Sequence, residues 1–156
     1  MALFTKILFP VDMSEVSKKL VPFVKEFIES FGAELHVVYS MNIRPYHVSR
    51  SMSVSYISRH ESKTRKEAEK RLSDFVGSQF HDSSVQSGIL AGFPGTEILR
   101  YAEKKGVDLI IMGHSSIKIS EDSFGSVAGY VTNRSHIPVL IINPDMQVSM
   151  ASSFFG

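Results

Sequence analysis

The sequence contains no cysteine, and this absence excludes disulfide bonds, a thiolate nucleophile and zinc sites built from cysteine ligands. Its six histidines are scattered without the spacing of metal ligands, so we predict no metal site. Basic and acidic residues nearly balance, at 17 Lys and Arg against 16 Asp and Glu, and the formal net charge is +1. The composition therefore gives no reason to expect a nucleic acid partner.

Long apolar stretches are also missing. No stretch approaches the roughly 18–20 apolar residues that a membrane span needs. The only early apolar run is interrupted by Phe9-Pro10 and by Asp12, so the N-terminal sequence does not resemble a signal peptide. Of the 156 residues, 43% are hydrophobic and 21% charged, which is typical of a globular domain. We expect one cytoplasmic domain over residues 1–156, with a C-terminal tail at 144–156 and no membrane partner.

Three signatures of catalytic or nucleotide-binding folds are absent. The chain has neither the G-x-x-x-x-G-K-[ST] loop of P-loop proteins nor the G-x-S-x-G elbow of α/β-hydrolases. The turn after the first apolar run reads PVDMSE, which is not a Rossmann fingerprint. His114 adjoins two serines, but neighbours in an open loop rarely form a nucleophile–base pair, because that pair needs a third group to hold its geometry. We predict no catalytic residues and a protein that is not an enzyme.

What the sequence does contain is a regular alternation of short apolar runs and helical patterns. The runs predict strands at residues 6–11, 35–39, 85–91, 108–113 and 139–142. Amphipathic spacing predicts helices between Ser14 and Gly32, over 59–80, over 96–105, and after Gly125, where Val127 and Val131 are one turn apart. This order predicts an α/β fold: an open, mostly parallel five-stranded sheet with helices on both faces.

Two helical regions carry more specific expectations. Pro22 lies inside the first helical pattern, and we expect it either to kink the helix or to start it afresh. In the second pattern, the residues expected to face the core are Ala68, Leu72, Phe75 and Val76. The residues before it, 41–58, have no clear period, so we predict a long loop or a partly helical insertion there.

A basic segment and an apolar tail leave alternatives open. Eight of the 17 Lys and Arg residues lie at 44–71, together with three Glu. This segment is either a solvated helix face with i,i+4 Glu–Lys partners or a surface for an anion or an acidic partner. In the tail, Phe154 and Phe155 are costly to leave in water, so the tail either frays or docks on a partner subunit.

The segment from Asp108 to Asn143 is the candidate site. It predicts a strand, a loop, a helix and a strand in succession. The loop begins at Gly113, ends at Gly125 and contains several serines, a composition that lets backbone N–H groups surround an anion. In an open parallel sheet, ligands bind beyond the carboxyl ends of the strands, at the point where the strand order reverses.

The same segment resembles the nucleotide motif of the universal stress protein family. That motif is a strand ending in glycine, two residues, a second glycine, nine residues and then Gly-Ser or Gly-Thr. Gly113 matches the first glycine, and Gly125-Ser126 matches the end. Ser116 stands at the place of the second glycine, and eight residues separate it from Gly125.

The resemblance implies the sheet order 3-2-1-4-5, with a crevice between strands one and four. It implies a stress-response regulator that binds an adenine nucleotide, ATP or AMP, with Mg²⁺ as a candidate companion ion. The residues that it assigns to the nucleotide are Pro10, Val11, Asp12, Val37, Met112, Gly113, Ser116, Gly125, Ser126 and Val127. Among them, the backbone of Val37 is assigned to the adenine edge, Met112 and Gly113 to the ribose, and the last four to the phosphate loop.

The resemblance also implies a homodimer that pairs through the last strand, at residues 139–142. An apolar edge strand would be an aggregation hazard if it were left unpaired. A hypothesis of another class is a protein-interaction module of the same fold that has lost nucleotide binding. A slow ATP hydrolase is the least favoured of the three hypotheses.

Overall fold

The fold was analysed in a computed structural model that describes residues 2–41, 54–114 and 126–145. These residues form five strands and four helices that alternate along the chain. In order, they are β1 (Lys6–Val11), α1 (Glu15–Phe31), β2 (Glu34–Met41), α2 (Val54–Phe80), β3 (Gln86–Ala91), α3 (Pro94–Lys105), β4 (Leu109–Gly113), α4 (Ser126–Arg134) and β5 (Val139–Ile142).

The five strands form one parallel sheet in the order β3-β2-β1-β4-β5. The predicted α/β class and the strand order implied by the resemblance are therefore confirmed. The chain adds β2 and β3 on one side of β1 and then crosses to the other side to add β4 and β5. The order thus reverses at β1, and the carboxyl ends of β1 and β4 lie side by side there.

The core consists of two apolar layers, one on each face of the sheet. Side chains alternate along each strand, so Ile7 and Phe9 of β1 face one layer and Leu8 faces the other. Helices α1 and α2 cover the first face, and α3 and α4 cover the second. This arrangement confirms the prediction of helices on both faces.

Helix α1 shows why its sequence tolerates an internal proline. The buried residues Leu20, Val21, Phe23 and Val24 hold the helix on the sheet. Pro22 lies on the exposed side, and the helix runs through it without a break. The expected restart at Pro22 is therefore wrong, since burial of the apolar stripe outweighs one missing backbone hydrogen bond. The helix ends as predicted at Gly32, which has φ 62° and donates its N–H to the Ile28 carbonyl.

Helix α2 is longer than its apolar period indicated. It begins at Val54, so residues 54–58 are helical and not part of a loop, while 42–53 lie outside the described residues. Residues 54–58, VSYIS, contain neither Pro nor Gly to stop the helix. The residues predicted to face the core are all buried: Ala68, Leu72, Phe75 and Val76.

The basic residues of α2 lie on its exposed side, from Arg59 to Arg71. Arg65 Nε is 3.2 Å from Glu69 Oε1, an i,i+4 ion pair of the kind expected for a solvated helix face. Binding of an acidic partner to this face stays a prediction. Phe154 and Phe155 of the tail lie outside the described residues.

Candidate functional site

A cleft of about 320 Å³ opens where the sheet order reverses, between the carboxyl ends of β1 and β4. Most of the residues assigned to the site from the sequence line it: Pro10, Val11, Asp12, Met112, Gly113, Ser126 and Val127. Ser116 and Gly125 lie outside the described residues. Helix α1 forms one wall of the cleft, and α3 and α4 form the opposite wall.

The turn after β1 is organised around the carboxylate of Asp12. Its Oδ1 accepts hydrogen bonds from the Ser14 backbone N–H (2.9 Å), from the Ser17 hydroxyl (2.8 Å) and from the Ser14 hydroxyl. Its backbone N–H donates to Ser17 Oγ at 3.1 Å. Met13 takes φ 61°, a left-handed conformation that the hydrogen-bonded turn stabilises. Asp12 Oδ2 makes no hydrogen bond to the described residues, so one oxygen is available to a ligand.

The environment of Asp12 favours its charged form. Partial burial acts to raise the pKa of the carboxyl group, but the hydrogen bonds from Ser14 and Ser17 outweigh it, and the pKa lies below its ordinary value. Ser14 occupies the N-cap position of α1, as predicted, yet its side chain makes no capping bond and donates to Asp12 instead. The N-terminus of α1 adds a favourable field for the negative charge.

Gly113 ends β4 at the point where α1 comes nearest to the sheet. A Cβ atom at this position would lie 2.6 Å from Leu20 Cδ1 and 3.2 Å from Val16 Cγ1. The glycine is not among those with positive φ, so close approach and not backbone conformation explains it. Gly113 thus sets the width of the cleft on its α1 side.

On the opposite wall, the N-terminal end of α3 packs against the middle of α4. A Cβ atom at Gly95 would overlap the ring of Tyr130, so the glycine admits that ring against α3. The Tyr130 hydroxyl lies 3.2 Å from Thr96 Oγ1, and the ring meets Phe93 edge-on with centroids 5.1 Å apart. These contacts hold α4 against α3, and Ser126 and Val127 of its first turn line the cleft.

The N-terminus of α4 gives the cleft a site for negative charge. The first turn of a helix has backbone N–H groups without helical partners, and the helix dipole adds positive potential there. The first turn of α4 contains no acidic residue that would compete for these groups. The cleft therefore has a partly free carboxylate at β1 and, beyond β4, a helix N-terminus that favours negative charge.

Residue Val37 lies in the middle of β2 and does not line the cleft. It pairs with Phe9 and Ser87 in the sheet, and its side chain is 0% exposed in the core. The β2 residues that do line the cleft are Tyr39 and Ser40. The run LHVVY indicated a strand but not which residue reaches the rim, since that depends on the register with β1, where Val11 pairs with Tyr39.

Sequence reasoning also missed residues that reach the cleft from the helices and from the end of β4. These are Val16, Ser17, Leu20, Pro94, Ile98, His114 and Ala128. The α1 residues could have been predicted. The apolar stripe of α1 follows the turn after β1, so its first residues must lie beside that turn.

Within residues 2–41, 54–114 and 126–145, no group of three His, Asp or Glu side chains could hold a metal ion. None of the helices in these ranges is long and apolar enough to cross a membrane.

Comparison with known proteins places this geometry in one family. The model of the universal stress protein family matches residues 3–143. Universal stress protein MJ0577 of Methanocaldococcus jannaschii is 29% identical over 155 residues, covering 90% of this chain and 95% of that protein. The solved structure of MJ0577 superposes with a TM-score of 0.76 and 26% identity, covering 93% of this chain and 99% of that one.

Two more distant structures share the fold and contain nucleotides. A universal stress protein from Archaeoglobus fulgidus, solved in complex with dAMP, has a TM-score of 0.60 and 22% identity, covering 90% of this chain and 98% of that one. Another, in complex with cAMP, has a TM-score of 0.59 and 19% identity, covering 93% of this chain and all of that one. The match of the family model over nearly the whole length shows that this chain belongs to the universal stress protein family.

Proposed function

We propose that this chain binds an adenine nucleotide, ATP or AMP, in the cleft and acts as a cytoplasmic regulator of the stress response. One observation carries the proposal: the cleft at the reversal of strand order pairs a partly free carboxylate, Asp12, with the N-terminus of α4. The complexes of two fold relatives with dAMP and cAMP support the choice of an adenine nucleotide.

The charges of the cleft orient the nucleotide. A carboxylate repels phosphate but accepts hydrogen bonds from ribose hydroxyls or from an amino group, so Asp12 belongs to the nucleoside end. The phosphates belong to the N-terminus of α4, beside Ser126, where N–H groups and the helix dipole favour negative charge. The volume, about 320 Å³, lies in the range of small-molecule sites. Mg²⁺ would enter as the companion of the phosphates.

We propose binding and not catalysis as the role of the cleft. The titratable side chains among its described lining residues are Asp12, Tyr39 and His114. The lowered pKa of Asp12 makes its carboxylate a weak general base at neutral pH. Hydrolysis of ATP, if it occurs, would depend on groups other than this carboxylate.

The substitution Asp12→Asn tests the proposal, because it retains the shape of the side chain and removes its charge. We expect calorimetry to show binding of AMP or ATP to the unaltered chain and about tenfold weaker binding to the variant, about 1.4 kcal/mol. Asp82→Asn is the matched control, since Asp82 also accepts a backbone N–H two residues on, from Ser84 at 2.8 Å, but lies away from the cleft. This control should bind like the unaltered chain.

Absorbance gives a second measurement. The chain has no Trp and five Tyr, so its own ultraviolet absorbance is weak and bound adenine stands out. We expect the purified protein to carry this absorbance or to acquire it with added AMP or ATP. If millimolar AMP and ATP give neither heat nor a shift in thermal unfolding, the protein-interaction hypothesis replaces nucleotide binding.

A further inference from the structure

Four cationic side chains form a row along the outer side of α2. They are Arg59, Lys63, Lys66 and Lys70, and all four are exposed. Successive residues turn by about 100° around a helix axis, so these positions lie within about 60° of one another and opposite the buried stripe of the helix. They are four, three and four residues apart, or about 6, 4.5 and 6 Å along the axis. We call this set the basic row.

The charges of the basic row act against the helix that holds them. Like charges three or four residues apart on a helix repel each other, and each successive pair in the row has this spacing. In the described parts of the chain, no carboxylate forms an ion pair with a cation of the row, and the ion pair of α2 joins Arg65 and Glu69 instead. Along residues 59–67, packing compensates little, since every side chain except Thr64 is exposed. A local conflict of this kind is typical of a functional surface, so the row indicates a binding site for negative charge.

The residues around the basic row favour a protein as the partner. Glu67 and Asp74 lie about 50–70° around the helix from the middle of the row, both on the same side of it. They would repel a surface of uniform negative charge, such as a nucleic acid backbone or an anionic bilayer, whereas a protein can place a cation opposite each of them. Residues 59–71 contain no Phe, Tyr or Trp on which a base could stack. Their one apolar residue, Ala68, is buried and cannot enter a bilayer.

We propose that the basic row binds an acidic helix of a partner protein. A helix with carboxylates four, three and four residues apart presents them in a row of the same length and with the same steps. Because this order of spacings is the same in both directions, the two rows match whether the helices run parallel or antiparallel. Each carboxylate then lies opposite one cation and offsets the repulsion within the row. The inference is independent of the proposed nucleotide function, since α2 contributes none of the described residues that line the cleft.

Fluorescence anisotropy with two labelled peptides and the full chain tests this interaction. Both peptides are alanine-based helices with four Glu residues. In the matching peptide the Glu residues have the spacings of the basic row, and in the scrambled peptide they are five residues apart, which spreads them around the helix. We expect the chain to bind the matching peptide about tenfold more tightly than the scrambled one at low salt, and to bind it more weakly as salt is added.

A charge variant and a matched control show whether the basic row is the binding surface. The variant combines Lys63→Gln, Lys66→Gln and Lys70→Gln, since glutamine keeps the helix propensity of lysine and removes its charge. We expect it to bind the matching peptide about tenfold more weakly than the unaltered chain. The control, which should bind like the unaltered chain, changes to Gln three exposed lysines of α1 and α3: Lys18, Lys19 and Lys104.

Thermal unfolding without peptide separates this role from a structural one. Because the triple variant loses like charges that repel each other, it should unfold at the same temperature as the unaltered chain or higher. Equal affinity for the two peptides, no binding of the matching peptide at low salt, or unchanged binding by the triple variant would each overturn the inference. It would also be overturned if a single-stranded oligonucleotide or a phosphatidylserine vesicle bound the chain more tightly than the matching peptide does.

Discussion

Two aspartates accept hydrogen bonds at opposite ends of β1, and they differ in how many of their carboxylate oxygens these bonds use. Asp108 precedes β4, and its two oxygens accept from Thr5 and Lys6 at the start of β1: Oδ2 from the Thr5 N–H (2.8 Å) and hydroxyl (2.7 Å), Oδ1 from the Lys6 N–H (3.0 Å). Asp12 uses only one oxygen for its hydrogen bonds to the described residues. Asp108 thus joins two strands, whereas Asp12 keeps an acceptor for a ligand.

The role of Asp108 predicts a dependence of stability on pH. Burial acts to raise the pKa of its carboxyl group, but the hydrogen bonds from Thr5 and Lys6 outweigh it and the pKa is lowered. A lowered folded-state pKa contributes stability above the ordinary value near 4, and this contribution is lost as the pH falls through the folded-state pKa. We expect Asp108→Asn to lower the free energy of unfolding at pH 7 by about 1–2 kcal/mol, and by less at pH 3.

Urea unfolding at several pH values between 3 and 7 measures this difference. Glu103→Gln, an exposed position on α3, is the control and should follow the unaltered chain. A deficit for Asp108→Asn that is as large at pH 3 as at pH 7 would contradict the assignment of the effect to the charged carboxylate. Nucleotide affinity should not change, since Asp108 lies at the end of the sheet away from the cleft.

The sequence correctly placed at the cleft those residues whose position follows from a strand end. Asp12 and Gly113 each follow a short apolar run at the reversal point, so the rule for parallel sheets brings them together. The sequence did not place Tyr39 and Ser40 at the cleft, because the end of β2 is set by its pairing with β1 and β3. An apolar run does not encode that pairing.

Among the elements, the contact between α1 and β4 is the one that most directly shapes the cleft. Gly113→Ala would place a methyl group against Leu20, which is 2% exposed and has little room to move. We expect a loss of about 1–2 kcal/mol in the free energy of unfolding from this overpacking, together with weaker nucleotide binding. Thermal unfolding and calorimetry measure the two effects.

Gly77→Ala is a control that we expect to raise the free energy of unfolding instead of lowering it. Gly77 lies inside α2, and a Cβ atom there would meet nothing within 4 Å. Alanine is the better helix former, so this variant should gain up to about 1 kcal/mol. If Gly113→Ala unfolds at the temperature of the unaltered chain, the close approach of α1 does not limit the cleft.

Helix α2 shows that the sequence pattern does not always predict where a helix begins. The apolar period correctly located its buried part, from Ala68 to Phe80. Residues 54–67 have no such period, and neither Pro nor Gly stops the helix between Val54 and Ala68. Similarly, Pro94 is the first residue of α3, where a proline lacks no helical bond, although the helical pattern predicted a start at residue 96.

At the scale of the whole molecule, the alternation of strands and helices was sufficient to predict the fold class but not the strand order. Parallel pairing requires a crossover after each strand, and every crossover contains a helix here. The order is a set of pairings between distant residues, such as Ile7 with Leu109, that no local pattern specifies. It was available only through the resemblance to a family.

The sheet ends in β5, and its outer edge predicts how two molecules associate. Among the described residues, β5 pairs with β4 alone. The Pro138 carbonyl accepts from the Ile110 N–H, and the Ile142 carbonyl accepts from the N–H of His114, which follows β4. The backbone N–H and C=O groups of the even-numbered residues therefore point toward β4. Because backbone groups alternate along a strand, the N–H and C=O groups of Val139 and Ile141 point outward. We propose that these groups pair with β5 of a second copy and form the homodimer.

Ile141→Pro removes one outward N–H and leaves the bonds from β5 to β4 in place, so we expect it to shift the protein from dimer to monomer. Ile141→Ala is the matched control, because it loses the same contacts of the side chain with the α3–α4 layer but keeps the N–H. Light scattering at micromolar concentration should show a dimer for the unaltered chain and for Ile141→Ala, and a monomer for Ile141→Pro. Circular dichroism confirms that the proline variant remains folded. A monomeric unaltered chain, or a dimeric Ile141→Pro, would show that association does not use the outer edge of β5.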